Sequence, residues 1–263
     1  NDTMVGGAGN DIYIVDSLSD VVTEAVSEGT DTIRTGITYS IASLANVENL
    51  TLTGFAAVDA TGNAGVNTII GNSGINTLSG LAGNDTYDGA AGNDNLTDSS
   101  TTSNDIYRWG IGQGNDRITD AGGSDRIEIG AGVTVGQVSL VRNASNLEVR
   151  ISGATDVLTV VNWYSSTANR IEEIRLADGT VINAGAVAPL SVSGPSEFSQ
   201  MRRVGGQAVA GTTAIDSASV DGDRHWRLLI QAMAQFDGRG TLGDSVERVR
   251  RPDHLRIDLA SPM

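Results

Sequence analysis

Asp and Asn recur every nine residues in this chain, and that interval restricts the possible folds more than any other feature. Asn67, Asn76, Asp85 and Asp94 stand nine apart within the contiguous segments GNAGVNTII (62–70), GNSGINTLS (71–79), GLAGNDTYD (80–88) and GAAGNDNLT (89–97). GGAGNDIYI at 6–14 repeats the pattern and follows the end of an earlier copy at 1–5. Glycines at the first, second and fourth positions accept positive φ without a Cβ penalty, which permits a tight six-residue turn. The remaining three residues form a strand whose central side chain points opposite to its two neighbours. Met4, Tyr13, Ile69, Leu78, Tyr87 and Leu96 are therefore expected to face inward. Two nonamers close one coil, and coils stacked about 4.8 Å apart bring each turn beside that of the next repeat but one. Carboxylates about 5 Å apart along such an edge repel unless a cation lies between them. Carboxylate and backbone carbonyl oxygens suit a hard ion such as Ca²⁺.

The blocks fit G-G-x-G-x-D-x-U-x, with U a large apolar residue, and so the chain resembles the RTX nonapeptide proteins, also described as haemolysin-type calcium-binding repeat proteins. That resemblance implies an all-β, parallel β-roll holding several Ca²⁺ ions. Ion sites are expected at Asp85, Asp94, Asp105, Asp116 and Asp125, on turns carrying Gly83, Gly92, Gly114 and Gly123, with Asp2 and Asp11 in a second cluster near Asn1. Asn67 and Asn76 stand where the family has aspartate. An amide oxygen brings no charge, so those turns are expected to bind metal weakly or not at all, and their side chains to hydrogen-bond as a ladder.

The β-roll is expected over residues 1–128. Within it, 62–97 are the best repeats and 15–61 are looser coils without metal-competent turns, with β-type runs at 37–41, 47–52 and 55–58. Residues 98–128 are degenerate repeats: Asp105 follows Asp94 by eleven residues, Asp116 follows Asp105 by eleven, and Asp125 follows Asp116 by nine. The extra pairs predict lengthened or bulged turns. Residues 129–188 alternate apolar and polar side chains in QVSLVR, NLEVRI, DVLTVVNW and RIEEIRL, and Asp178-Gly179 signals a hairpin. This stretch resembles the haemolysin-type calcium-binding related domain, expected here as a small β-rich cap over the open last coil. Residues 189–263 read as a linker and mostly irregular tail with one helix, in which Trp226, Leu229, Ile230, Met233 and Phe236 share a face. LLIQAMAQF resembles a stretch near the C-termini of type I secreted RTX proteins, which implies a type I exporter as partner.

Residues 1–190 hold 23 acidic side chains against 8 arginines, whereas 191–263 hold 9 of each, so the whole net charge of −15 belongs to the repeats and cap. Phosphate repulsion makes nucleic acid an unfavourable partner for that surface. The chain lacks cysteine, which excludes thiol chemistry, and has no run long enough to span a membrane. His225 and His254 have no ligand-spaced partners, and the adjacent Glu172 and Glu173 point to opposite faces of a strand. No catalytic residue or organic cofactor site is therefore expected. Asn1 falls inside a nonamer, so the chain is expected to be the C-terminal portion of a longer protein. The function expected is a monomeric, non-enzymatic Ca²⁺-binding module of a secreted, extracellular or cell-surface protein. The alternative is the tail of a secreted protease, lipase or polysaccharide epimerase, or an adhesin or surface-layer repeat.

Overall fold

In the computed structural model, residues 1–184 are described. They form a parallel β-solenoid, with one short 3-10 turn at Val135–Gln137 and no α-helix among them. One sheet stacks Ile12–Val15, Thr32–Thr35, Asn49–Leu52, Thr68–Ile70, Thr86–Asp88, Ile106–Trp109, Arg126–Ile129 and Glu173–Leu176 in parallel, and Val181–Asn183 closes it. The facing sheet stacks Tyr39–Ser40, Ala60–Thr61, Thr77–Leu81, Asn95–Asp98, Arg117–Thr119 and Val157–Val160. Thr3–Val5 and Val21–Thr23 make a separate parallel pair.

Alternation along each strand sends one column of side chains into the narrow core. On the first sheet it runs Tyr13, Ile33, Leu50, Ile69, Tyr87, Tyr107, Ile127, Ile174 in unbroken register. On the second it runs Ala60, Leu78, Leu96, Ile118, Val160. All of these are buried, and the Tyr87 and Tyr107 rings stack with centroids 5.0 Å apart. Of the residues expected to face inward, Met4 alone is only partly buried, packed at the margin of this core. The eleven-residue intervals leave the register intact. The added residues are taken up in the turns before Asp105 and Asp116, with a strand irregularity at Thr97/Asp98.

The run expected at 55–58 is not a strand. Phe55 is 85% exposed, and the pairing falls later, at Ala60–Thr61. At the far end, Val157–Val160 lies parallel to Arg117–Thr119 but antiparallel to Asn146–Ile151, which pairs in turn with Val138–Asn143. Glu173–Leu176 continues the first sheet and turns back through Gly179 into Val181–Asn183. Antiparallel strands thus end both parallel stacks and cover their backbone edges. The helix expected at Trp226–Phe236, His225 and His254 lie outside the described residues. No helix among the described residues is long and apolar enough to cross a membrane.

Candidate metal centres along the turns

Most turns come within backbone contact of the turn one coil away, which requires glycine at the fourth position in those carrying Gly83, Gly92, Gly114 and Gly123, whereas Ser103 fills it before Asp105. A Cβ on Gly83 would lie 2.0 Å from the Gly65 carbonyl oxygen, and one on Gly114 would lie 1.6 Å from that of Gly92. Gly92 and Gly123 meet Gly74 and Ser103 in the same way. With the backbones this close, the aspartate at the sixth position reaches its neighbour. Asp85 Oδ1 accepts from the Asn67 N–H at 2.7 Å, Asp105 Oδ1 from Asp85 at 2.7 Å, and Asp125 Oδ1 from Asp105 at 2.8 Å. Glu172 ends this row by accepting from Asp125 at 2.8 Å. On the opposite edge, Asp94 accepts from Asn76 and Asp116 from Asp94, both at 2.8 Å.

One oxygen of each aspartate is used in this way. On Asp105 the second accepts from the Ser103 hydroxyl at 3.1 Å, but Asp11, Asp31, Asp85, Asp94 and Asp125 each hold a buried Oδ2 without a hydrogen-bond partner. A buried acceptor with nothing to accept from costs about 1–3 kcal/mol, more when charged. Among the described residues, three groups of acids converge within 4.8 Å, namely Asp85, Asp98 and Asp105; Asp105, Asp120 and Asp125; and Asp11, Glu24 and Asp31. An all-oxygen, multiply anionic donor set with orphaned atoms fits a hard divalent cation such as Ca²⁺. Asp105 serves two of the groups.

Several positions differ from the sequence reading. Asp94 and Asp116 stack as a pair outside these groups, with Asp88 near enough for its charge to raise both carboxyls but not converging with them. Asp2 stays exposed outside the groups, and its part is to donate its backbone N–H to Asp20. The looser coils do contain a metal-competent turn, since Glu24 and Asp31 join Asp11. Glu24, Asp31, Asp98, Asp120 and Glu172 were not among the expected site residues. Asp98 and Asp120 occupy the first turn position, where the repeat calls for glycine, so aligning the degenerate repeats by that position would have singled them out.

The asparagine turns are closed by amides instead. Asn63 Nδ2 donates to the Leu44 and Val47 carbonyls at 2.8 Å each, and Asn67 Nδ2 to that of Glu48 at 3.3 Å. Asn72 donates to Thr53 and Ala56, and Asn76 to Val58 at 2.7 Å. Within each turn the two asparagines also bond one another. Neutral N–H donors thus sit on inward carbonyls that would otherwise be free to meet a cation. The ladder expected of the stacked asparagines is instead a bond from each amide to the backbone one coil back.

Burial pushes the Asp85 and Asp116 carboxyls up to about 7 and those of Asp94 and Asp105 up to about 6; Asp120 and Asp125 are raised as well. An acid with a raised folded pKa leaves stability untouched below its unfolded value near 4. It costs progressively more as pH climbs to the folded value, and a constant amount above it. In chelator the coils should therefore be more stable at about pH 5 than at about pH 8, as thermal melts followed by circular dichroism would read. The reverse order would show that burial does not govern these acids.

The family model for the RTX calcium-binding nonapeptide repeat matches residues 1–22, 61–96 and 112–133, and that for the haemolysin-type calcium binding protein related domain matches 146–186. Among curated relatives, the endo-1,3-1,4-beta-glycanase ExsH of Rhizobium meliloti (strain 1021) is 46% identical over 69 residues. The endo-1,3-1,4-beta-glycanase EglC of the same organism is 43% identical over 67 residues. Each match covers 26% of this chain and 14% of the relative's length.

Proposed function

We propose that this chain, a set of RTX calcium-binding nonapeptide repeats followed by a haemolysin-type calcium-binding related domain, is the calcium-triggered folding and export module of a secreted bacterial protein. The observation that carries this reading is the orphaned Oδ2 on stacked, buried aspartates. A folded row of this kind is self-repelling until a cation enters it. Where Ca²⁺ is scarce, repulsion and the backbone entropy of the glycine-rich turns favour opening of the acidic coils. Outside the cell, where modules of this class bind at roughly 10⁻⁴ to 10⁻³ M, bound Ca²⁺ compensates the acids. Asp11, Glu24, Asp31, Asp85, Asp98, Asp105, Asp120 and Asp125 would hold the ions in threes, with Asp94 and Asp116 as a pair.

On this reading the chain itself is a binding module. Any catalytic activity belongs to another part of the full-length protein, and the likeness to two glycanases favours a polysaccharide-cleaving parent over an adhesin. Residues 189–263 would engage a type I exporter and place the protein outside the cell.

Calorimetric titration of the full chain should show several Ca²⁺ ions bound, and absence of binding would overturn the reading. Deleting residues 191–263 should abolish secretion by a co-expressed type I exporter while Ca²⁺ binding persists. Normal secretion of the truncated chain would place the export signal elsewhere.

A further inference from the structure

The three turns that gather three acids share a residue that the other turns lack. Tyr13 stands two residues after Asp11, Tyr87 after Asp85 and Tyr107 after Asp105. Each hydroxyl reaches the additional acid contributed by the next coil. Tyr107 donates to Asp120 Oδ2 at 2.6 Å, and Tyr13 donates to Glu24 Oε2. Tyr87 is shared between Asp98 Oδ2 at 3.4 Å and the Thr97 carbonyl at 3.3 Å. Where the same column holds Leu50 or Ile69, the next turn on that edge opens instead with Gly62 or Gly80. On the opposite edge, Leu78 and Leu96 follow Asn76 and Asp94, the turns open with Gly71, Gly89 and Gly110, and no third acid converges on the Asp94–Asp116 pair, Asp88 acting on it only through its charge. Among the described residues, tyrosine and the additional acid occur together at every three-acid group.

Each group also contains a fully buried carboxylate oxygen with nothing bonded to it, on Asp31, Asp85 or Asp125; the three residues are at most 1% exposed. Each carboxylate oxygen can accept two hydrogen bonds. A tyrosine that occupies one of these sites fixes the orientation of the additional acid without adding a competing charge. An acid already held in place loses less freedom when a ligand arrives.

We propose that these three groups form a tight class of cation site, distinct from the two-acid site at Asp94 and Asp116, in which Tyr13, Tyr87 and Tyr107 are positioning residues for the additional carboxylate. Ca²⁺ affinity rises with the number of charged ligands and with site rigidity, and both are greater in these groups. The proposal rests on the Ca²⁺-binding reading above.

The test is a titration of the full chain with Ca²⁺ by calorimetry and, in parallel, with Tb³⁺, a hard cation whose emission is sensitised by a nearby phenol. Two classes of site are expected, with tyrosine-excited Tb³⁺ emission saturating with the tight one. Asp120→Asn and Tyr107→Phe should each weaken one site of the tight class about tenfold, the value of one hydrogen bond to a charged group, and leave the loose class unchanged. Tyr107→Phe should also lower the emission, whereas Asp94→Asn should weaken only the loose class. A single class in the unmodified chain would overturn the proposal and leave the Ca²⁺ reading standing. So would Tyr107→Phe or Asp120→Asn variants that alter both classes equally or neither. No binding at all would remove the Ca²⁺ reading itself.

Discussion

In chelator, amide hydrogen exchange should divide the solenoid: amides of 106–129 should lose their protection while those of 49–52, 68–70 and 77–79 keep most of theirs. The coils preceding the asparagine turns have their inward carbonyls met by the amides of Asn63, Asn67, Asn72 and Asn76. The coils around Asp105 and Asp125 depend on a cation, since two three-acid groups meet there. Leaving one buried charge uncompensated costs about 3–5 kcal/mol, so exchange in the acidic coils should accelerate by more than about 100-fold. Adding Ca²⁺ should restore it. Uniform loss of protection, or persistence at 106–129, would refute the division.

Gly114→Ala, together with Gly123→Ala, should be among the most damaging methyl groups that can be added to the turns. At Gly114 the new carbon would sit 1.6 Å from the Gly92 carbonyl oxygen and 2.8 Å from its carbon. The Gly92 N–H is itself held by Gln113 at 3.0 Å, so the neighbouring turn cannot retreat without breaking the stack. A cost of about 4 kcal/mol or more is expected in Ca²⁺. Gly112→Ala is the control. Gly112 also has a positive φ, of 87°, but nothing lies within 4 Å of its Cβ position, so the loss should be about 1 kcal/mol. Denaturant midpoints of the Gly114 and Gly112 variants in Ca²⁺ would compare them directly, and equal losses would mean that backbone strain outweighs turn-to-turn contact.

Most of the architecture was legible because glycine, acid and apolar positions repeat in phase, and one coil fixes its neighbours. The phase identified Tyr87 and Leu96 as core residues and lined the acidic turns up along the solenoid edges. The third acids were not legible in this way. Asp98 and Asp120 stand in a glycine position, and their convergence on Asp105 depends on turns 20 or so residues apart being stacked. Glu24 lies in a segment without the glycine pattern, and Glu172 supports Asp125 across 47 residues. The amide closures were invisible for another reason. Asn63 and Asn72 stand in second turn positions that read as ordinary loop residues, and only the stacked backbone shows which carbonyls they cover. At 55–58, apolar composition suggested a strand, but pairing with Tyr39–Ser40 selects Ala60–Thr61.

The turns before Asp105 and Asp116 absorb added residues without shifting Tyr87 from Tyr107 or Leu96 from Ile118. Rod length and edge decoration are therefore separately heritable. Duplicating a whole coil lengthens the rod by about 4.8 Å, whereas inserting a few residues in a turn alters only what that edge displays. A lineage can thus change the reach of such a module and the chemistry of its rim by independent genetic events, with the interior column serving as the common gauge.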